Sequence, residues 1–328
     1  MTCLFDSFGR TINYLRVSVT DRCNLRCIYC MPSEGIPLIP HSEILSYEEI
    51  GAIVQTAAGL GIDKIRLTGG EPLVRMKLPE LIRMLSQIEG IEELSLTTNG
   101  TLLKHYALEL KQAGLKRVNI SLDSLRADRF RCITRHGELG DTLGGIEAAR
   151  KVGFDPIKIN MVVMHGVNDD EVLDFAKLSF KQGWHVRFIE LMPFSGDPSL
   201  HSGDFVSVSE IQRRISSLGK LESCPKPDGN GPAEYYRFPE AKGTIGFISS
   251  VTEPFCSNCN RLRLSSDGKL KPCLLEDGEI DLKGPLRDNA SMDEVRHLIL
   301  RAVASKPEKH RLAEGLVPLK RKMSQTGG

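Results

Sequence analysis

The 328-residue chain has little that would hold it in a membrane or draw it to a polyanionic surface. Lys and Arg number 43 against 42 Asp and Glu, a formal net charge of +1, so no global field favours nucleic acid or an anionic bilayer. No apolar run approaches the roughly 20 residues that cross a bilayer, and the first thirty residues lack the apolar stretch of a secretory signal. Internal repeats and low-complexity tracts are absent, which excludes solenoid and linker architectures. The nine cysteines are an odd number and cannot all pair, so a disulfide scaffold is not indicated. A reduced, cytoplasmic setting is the expectation. With 41% apolar and 26% charged residues the chain reads as an ordinary globule of one large or two moderate domains.

What is present is a pair of three-cysteine sets near opposite ends. The first is Cys23-x3-Cys27-x2-Cys30; the second is Cys256-x2-Cys259-x13-Cys273. A closed structural site uses four ligands, whereas three thiolates on a four-iron cube leave one iron open to chemistry. The Cys-x2-Cys of the second set, taken alone, suits zinc equally well. Cys3, Cys132 and Cys224 are spaced like ordinary thiols.

Strand-like and helix-like segments alternate. Short β-branched runs fall near 16–20, 64–68, 93–97, 117–121, 157–163 and 185–190. Between them lie helical patterns at 46–60, opened by a capping box of Ser46 with Glu49, at 102–113 and at 169–182. Six strands alternating with helices predict a parallel sheet wound in one sense. Beyond residue 193 the chain is richer in Gly, Pro and Ser. There a helix is expected at 209–218, a hairpin-like stretch at 244–250, and a last helix opened by Ser291 with Glu294. The boundary expected from this change divides the chain into 1–192 and 193–328. Seven Lys/Arg against two Glu over 301–328 read as a solvated tail.

The Cx3Cx2C set, with Tyr29 before its last cysteine and a strand ahead of it, resembles the radical S-adenosylmethionine (SAM) enzymes. The stretches 16–32, 64–72, 96–100, 118–123, 187–192 and 255–263, with the terminal Gly327-Gly328, narrow the resemblance to the GTP 3',8-cyclase family (MoaA) of molybdenum cofactor biosynthesis. That resemblance implies an α/β fold: an incomplete (β/α)6 TIM-like barrel with a C-terminal α+β domain carrying a second iron–sulfur cluster. It implies two [4Fe-4S] clusters, one on Cys23, Cys27 and Cys30 and one on Cys256, Cys259 and Cys273, with SAM contacted by Tyr29, Gly70, Ser121 and Met192. GTP would meet Arg16, Arg66, Thr97, Lys158, Arg187, Arg261 and Arg263. Arg16 would also serve the catalytic centre with Gly327 and Gly328, the tail threading to the barrel mouth.

The implied reaction is removal of hydrogen from ribose C3' by a 5'-deoxyadenosyl radical and addition of the C3' radical to guanine C8, giving (8S)-3',8-cyclo-7,8-dihydroguanosine 5'-triphosphate. The implied partners are an electron donor whose identity the sequence does not give and, downstream, cyclic pyranopterin monophosphate synthase. The molecule would be a monomer or homodimer. Two other classes share part of the pattern. A radical SAM maturase acting on a peptide or other small molecule needs both cysteine sets but not Arg261-x-Arg263, Lys158 or the double glycine. A zinc-stabilised binding module needs no catalysis at all. For Arg187 alone, an ion pair with Glu190 is an equal alternative to ligand binding.

Overall fold

The computed structural model describes residues 3–193, 204–227, 231–314 and 321–327. Six strands occur in the first part: β1 (Tyr14–Ser18), β2 (Lys64–Thr68), β3 (Glu93–Thr98), β4 (Arg117–Ser121), β5 (Lys158–Val163) and β6 (His185–Glu190). They pair in chain order, every neighbour parallel. The helices between them are α1 (Tyr47–Gly59), α2 (Leu78–Ser86), α3 (Leu103–Gln112), α4 (Ala127–Thr134), α5 (Leu139–Lys151) and α6 (Val172–Lys181). The Ser46–Glu49 capping box forms reciprocally: Ser46 N donates to Glu49 Oε2 at 2.6 Å and Glu49 N donates to Ser46 Oγ at 3.1 Å. The pattern at 169–182 resolves into a 3-10 turn followed by α6.

The remaining elements are α7 (Val208–Ile215), β7 (Glu222–Ser223), β8 (Glu234–Arg237), β9 (Ile245–Ile248), β10 (Arg261–Leu264), β11 (Lys269–Lys271), β12 (Ile280–Asp281), α8 (Lys283–Arg287), α9 (Met292–Ala304) and α10 (Met323–Thr326). The stretch at 244–250 is one strand rather than a hairpin. Its antiparallel partner is β8, and β9 itself runs parallel to β6. At the other edge β10 runs parallel to β1, so the sheet order is β12-β11-β10-β1-β2-β3-β4-β5-β6-β9-β8-β7. The later part of the chain thus flanks the six-stranded arc on both sides.

Side-chain alternation explains what this arc does. One face carries Leu15, Val17, Ile65, Leu67, Leu94, Leu96, Val118, Ile120, Ile159, Met161, Val186 and Phe188, all buried in one core with apolar residues of α1, α2 and α3. The other face carries Tyr14, Arg16, Arg66, Ser95, Asn119, Asn160 and Arg187. A closed barrel usually fills its inside with branched apolar side chains. Here the inside is polar and basic, which leaves room for a ligand. No helix among the described residues is long and apolar enough to cross a membrane.

Candidate active site

A cavity of about 250 Å³ occupies the inner face of the arc. Of the residues expected to bind ligand, Arg16, Tyr29, Arg66, Thr97, Ser121, Arg187, Met192, Arg261 and Arg263 line it, together with Cys256, Cys259 and Cys273. Lys158 does not. It stands at the start of β5, donates from Nζ to the Pro227 carbonyl at 3.2 Å and lies 5.8 Å from the Tyr235 ring centroid. Gly328 lies outside the described residues.

The arginines share a register, which is why they meet. Arg263, Arg16 and Arg66 sit side by side on β10, β1 and β2, and Arg187 faces them from β6. Burial, with Arg263 and Arg66 nearby, pushes the Arg16 guanidinium well below its ordinary range; burial and Arg261 bring Arg263 down to about 10. Among the described residues no carboxylate pairs with Arg16, Arg66, Arg187 or Arg261. Five buried polar atoms on the same inner face have no partner: Tyr14 Oη, Arg16 Nε, Thr97 Oγ1, Asn160 Oδ1 and Arg187 Nε. Buried polar groups are ordinarily satisfied, and four of these five can donate, so mutually repelling cations and orphaned donors together mark a site built for a polyanion.

The ion pair of Arg187 with Glu190 does not form. Arg187 Nη2 donates to Asn119 Oδ1 at 2.6 Å, whereas Glu190 accepts from Val208 N at 2.9 Å, Val251 N at 2.8 Å and Thr252 N at 3.0 Å. Glu190 therefore fastens later loops to the end of β6.

The first cysteine set lies in the loop after β1, hung on the end of α4 by Arg26 N to Thr134 O at 2.9 Å and Ile28 N to Ile133 O at 3.0 Å. Burial raises all three thiols; Glu71 adds to the effect on Cys23, pushed up to about 11, and Asp123 to that on Cys27. Cys30, up to about 12, also feels Cys23. Gly70 is confined by this loop: a Cβ there would run into the Arg22 carbonyl, and Gly70 N donates to Thr20 O at 2.8 Å. The glycine pair thus packs against the cysteine loop itself, a reason the sequence did not supply.

The second set is gathered by a hairpin. Antiparallel β10 and β11 bring Cys259, just before the first strand, towards Cys273, just after the second. Burial acts to raise the Cys259 thiol, but Arg261 and Lys306 outweigh it and bring it down to about 7. Among the described residues no three His, Cys, Asp or Glu side chains converge on one metal ion. Within each set the thiols nevertheless affect one another's charge.

The tail enters the same region. Met323 of α10 packs with Cys30, Met192 and Cys273. Arg16 Nη2 donates to Gly327 O at 2.7 Å, and Arg263 Nη1 reaches Thr326 O at 3.4 Å. Gln325 and Thr326 serve α10 itself, accepting from Lys322 N at 3.0 Å and donating to Met323 O at 2.9 Å. The solvated-tail expectation fails at two cations. Lys306 is 3% exposed, and Arg321 holds Asp267 and Glu279 at 2.9 and 2.8 Å. Asp123, which accepts from Tyr29 Oη at 2.7 Å, and Asn160 also line the cavity; period-two alternation with Ser121 and Lys158 was the signal that could have marked them.

Residues 17–179 match the Radical SAM superfamily model and residues 184–312 the Molybdenum Cofactor Synthesis C model. The GTP 3',8-cyclase of Pelotomaculum thermopropionicum is 53% identical over 98% of this chain and 99% of its own, and that of Moorella thermoacetica is 52% identical over 98% and 99%. Among solved structures, Streptococcus suis SuiB bound to S-adenosylmethionine superposes with a TM-score of 0.61 at 13% identity, over 88% of this chain and 69% of that one. AnSMEcpe with bound AdoMet gives 0.60 at 14% identity, over 93% and 79%. These two share the fold. The near-full-length relatives and both domain models place the chain in the GTP 3',8-cyclase family of radical SAM enzymes.

Proposed function

We infer that this chain is a radical SAM GTP 3',8-cyclase, a lyase of molybdenum cofactor biosynthesis. The observation that carries the reading is one cavity lined by a second cysteine set and by Arg16, Arg66, Arg187 and Arg261, with which no described carboxylate pairs. A peptide maturase would have no use for that concentration of positive charge.

Cys23, Cys27 and Cys30 would hold one [4Fe-4S] cluster, with SAM beside it against Tyr29, Gly70, Ser121 and Met192. Cys256, Cys259 and Cys273 would hold a second across the cavity. When bound, the first cluster and SAM would supply one-electron cleavage to a 5'-deoxyadenosyl radical that takes hydrogen from C3' of GTP; C3' then bonds to C8, and a second electron from the donor with a proton closes the purine radical to the dihydro product. The chain's own residues bind and orient. Arg16, Arg66, Arg187, Arg261 and Arg263 would grip the triphosphate by charge-assisted hydrogen bonds, Lys158 would add charge at the floor of the arc, and Thr97 would meet the nucleoside. Arg16 also carries the tail through the Gly327 carbonyl, so substrate and tail compete for or share one guanidinium. The outer apolar core fixes the arc, and a rigid arc holds C3' near C8, which is where proximity lowers the barrier.

Residues 1–192 are taken as the barrel, because the parallel run in chain order ends with β6 at Glu190, and 193–328 as the C-terminal part; the two domain models meet earlier, between 179 and 184. The proposed setting is the cytoplasm, with a separate electron donor, a downstream cyclic pyranopterin monophosphate synthase, and a monomer or homodimer as the working unit. The test is anaerobic incubation of reconstituted protein with SAM, a strong reductant and each nucleoside triphosphate in turn, followed by mass spectrometry. A cyclised dihydropurine triphosphate from GTP alone is expected. Conversion of ATP at a similar rate, or of none, overturns the reading.

A further inference from the structure

The chain just past α9 sends a lysine into the wall behind the second cysteine set. Lys306 Nζ donates to the Pro272 carbonyl at 2.6 Å and the Arg261 carbonyl at 2.9 Å. Those groups lie one residue before Cys273 and two after Cys259. From the other side Arg10 Nη1 donates to the carbonyl of Cys256 at 2.8 Å and to that of Glu308 at 2.9 Å, and its Nη2 to Pro307 O at 2.7 Å. Two cations anchored around Pro307 therefore hold the backbone at or beside all three cysteines.

The two differ in charge balance. Arg10 is matched by Asp6, whose Oδ2 accepts from Arg10 Nε at 2.5 Å. Lys306 has no carboxylate partner among the described residues, yet it is 3% exposed and lines the cavity. A buried ammonium is costly when unpaired, and two neutral carbonyls do not offset its charge. A negatively charged group beside it would. Three thiolates converging on a cluster are such a group.

We propose that Lys306, backed by Arg10, is a positioning residue for the cluster held by Cys256, Cys259 and Cys273: it sets the spread of the two ligand strands and offsets the thiolate charge. This rests on the two-cluster reading above. Outer partners of metal ligands are commonly worth about 10–100-fold in metal affinity, and hydrogen bonds or positive charge near cluster sulfur raise the reduction potential.

The experiment compares unmodified protein with K306M and K306R, all reconstituted anaerobically. Iron and sulfide per chain, the electron paramagnetic resonance spectrum followed through a redox titration, and the rate of iron release to a chelator are measured. In K306M the first cluster and SAM cleavage should persist, while iron of the second cluster leaves about 10–100-fold faster and its potential moves to a more negative value. K306R, which keeps charge and donors, should restore slow release. Two clusters in K306M with unmodified release and spectrum overturn the assignment of Lys306 alone. So does a K306M that keeps its second cluster and loses only GTP affinity, since that would make Lys306 a substrate contact. A single cluster in the unmodified protein overturns the two-cluster reading and the proposal with it. Should K306M lose both clusters through misfolding, K306Q, which keeps a donor but no charge, decides: unchanged release overturns the proposal and faster release supports it.

Discussion

Gly327→Ala isolates the tail. Gly327 has φ +77°, where a residue with a Cβ is disfavoured by about 1–2 kcal/mol. The added methyl would also collide with Thr68 Oγ1, a buried hydroxyl on β2 that donates to Val17 O at 3.3 Å. The tail must then withdraw and give up the 2.7 Å hydrogen bond from Arg16 to the Gly327 carbonyl. A hydrogen bond to a charged group is worth about 1.5–3 kcal/mol. Together these terms come to about 2.5–5 kcal/mol against the docked tail, or roughly 70- to 5,000-fold in its population. Product and 5'-deoxyadenosine should be followed separately in anaerobic turnover. Product formation should fall steeply with iron content unchanged, and SAM cleavage should fall less. Combining the change with Thr68→Ala removes the collision but not the backbone cost, so partial recovery is expected; Thr68→Ser, which keeps the hydroxyl, should recover nothing. If Gly327→Ala turns over GTP at the unmodified rate, the docked tail has no role in the reaction.

Three further outcomes follow from the geometry. Arg261→Ala and Arg263→Ala should each weaken GTP binding by about 1.5–3 kcal/mol in calorimetry, while guanosine, without phosphates, responds little; equal losses for both ligands would make these arginines supports of the cysteine hairpin. Replacing Cys256, Cys259 and Cys273 with Ala should leave reductive cleavage of SAM measurable and eliminate cyclised nucleotide, and complete loss of cleavage in a variant that retains the first cluster would contradict that division. Burial and the nearby Lys158 bring His185 down to about 4. A depressed histidine adds stability above its unfolded value near 6.5 that is lost as pH falls towards 4, so His185→Gln should flatten the decline in denaturant midpoint over that window, and an unchanged slope would show that His185 is not responsible.

The six barrel strands were legible because each is a short β-branched run with local boundaries, and the starts of α1 and α9 because Ser46 with Glu49 and Ser291 with Glu294 form caps. Both cysteine sets and the same-face spacing of Arg261 and Arg263 were legible for the same reason: spacing within a few residues fixes direction. The flanks of the sheet were not. Pairing of β10 with β1 joins Arg261 to Tyr14 across most of the chain, and nothing local to either segment records it. Helices α2, α4 and α5 were not legible: α2 is only nine residues long with Pro79 in its first turn, and a polar 127–134 segment and a glycine-rich 139–151 segment obscure the periodicity of the other two. Charge misled in both directions. Glu190 beside Arg187 suggested an ion pair that the strand's alternation sends elsewhere, and the basic composition of 301–328 hid two buried cations, Lys306 and Arg321, whose partners are distant in sequence.

The central claim is that this cavity holds GTP with C3' presented to a radical generated from SAM. Turnover of GTP carrying deuterium at C3' tests it most directly. The account predicts one deuterium in the 5'-deoxyadenosine released and none left at C3' of the cyclised triphosphate. Undeuterated 5'-deoxyadenosine accompanying product, or deuterium transferred only when the label is at another ribose carbon, would contradict it.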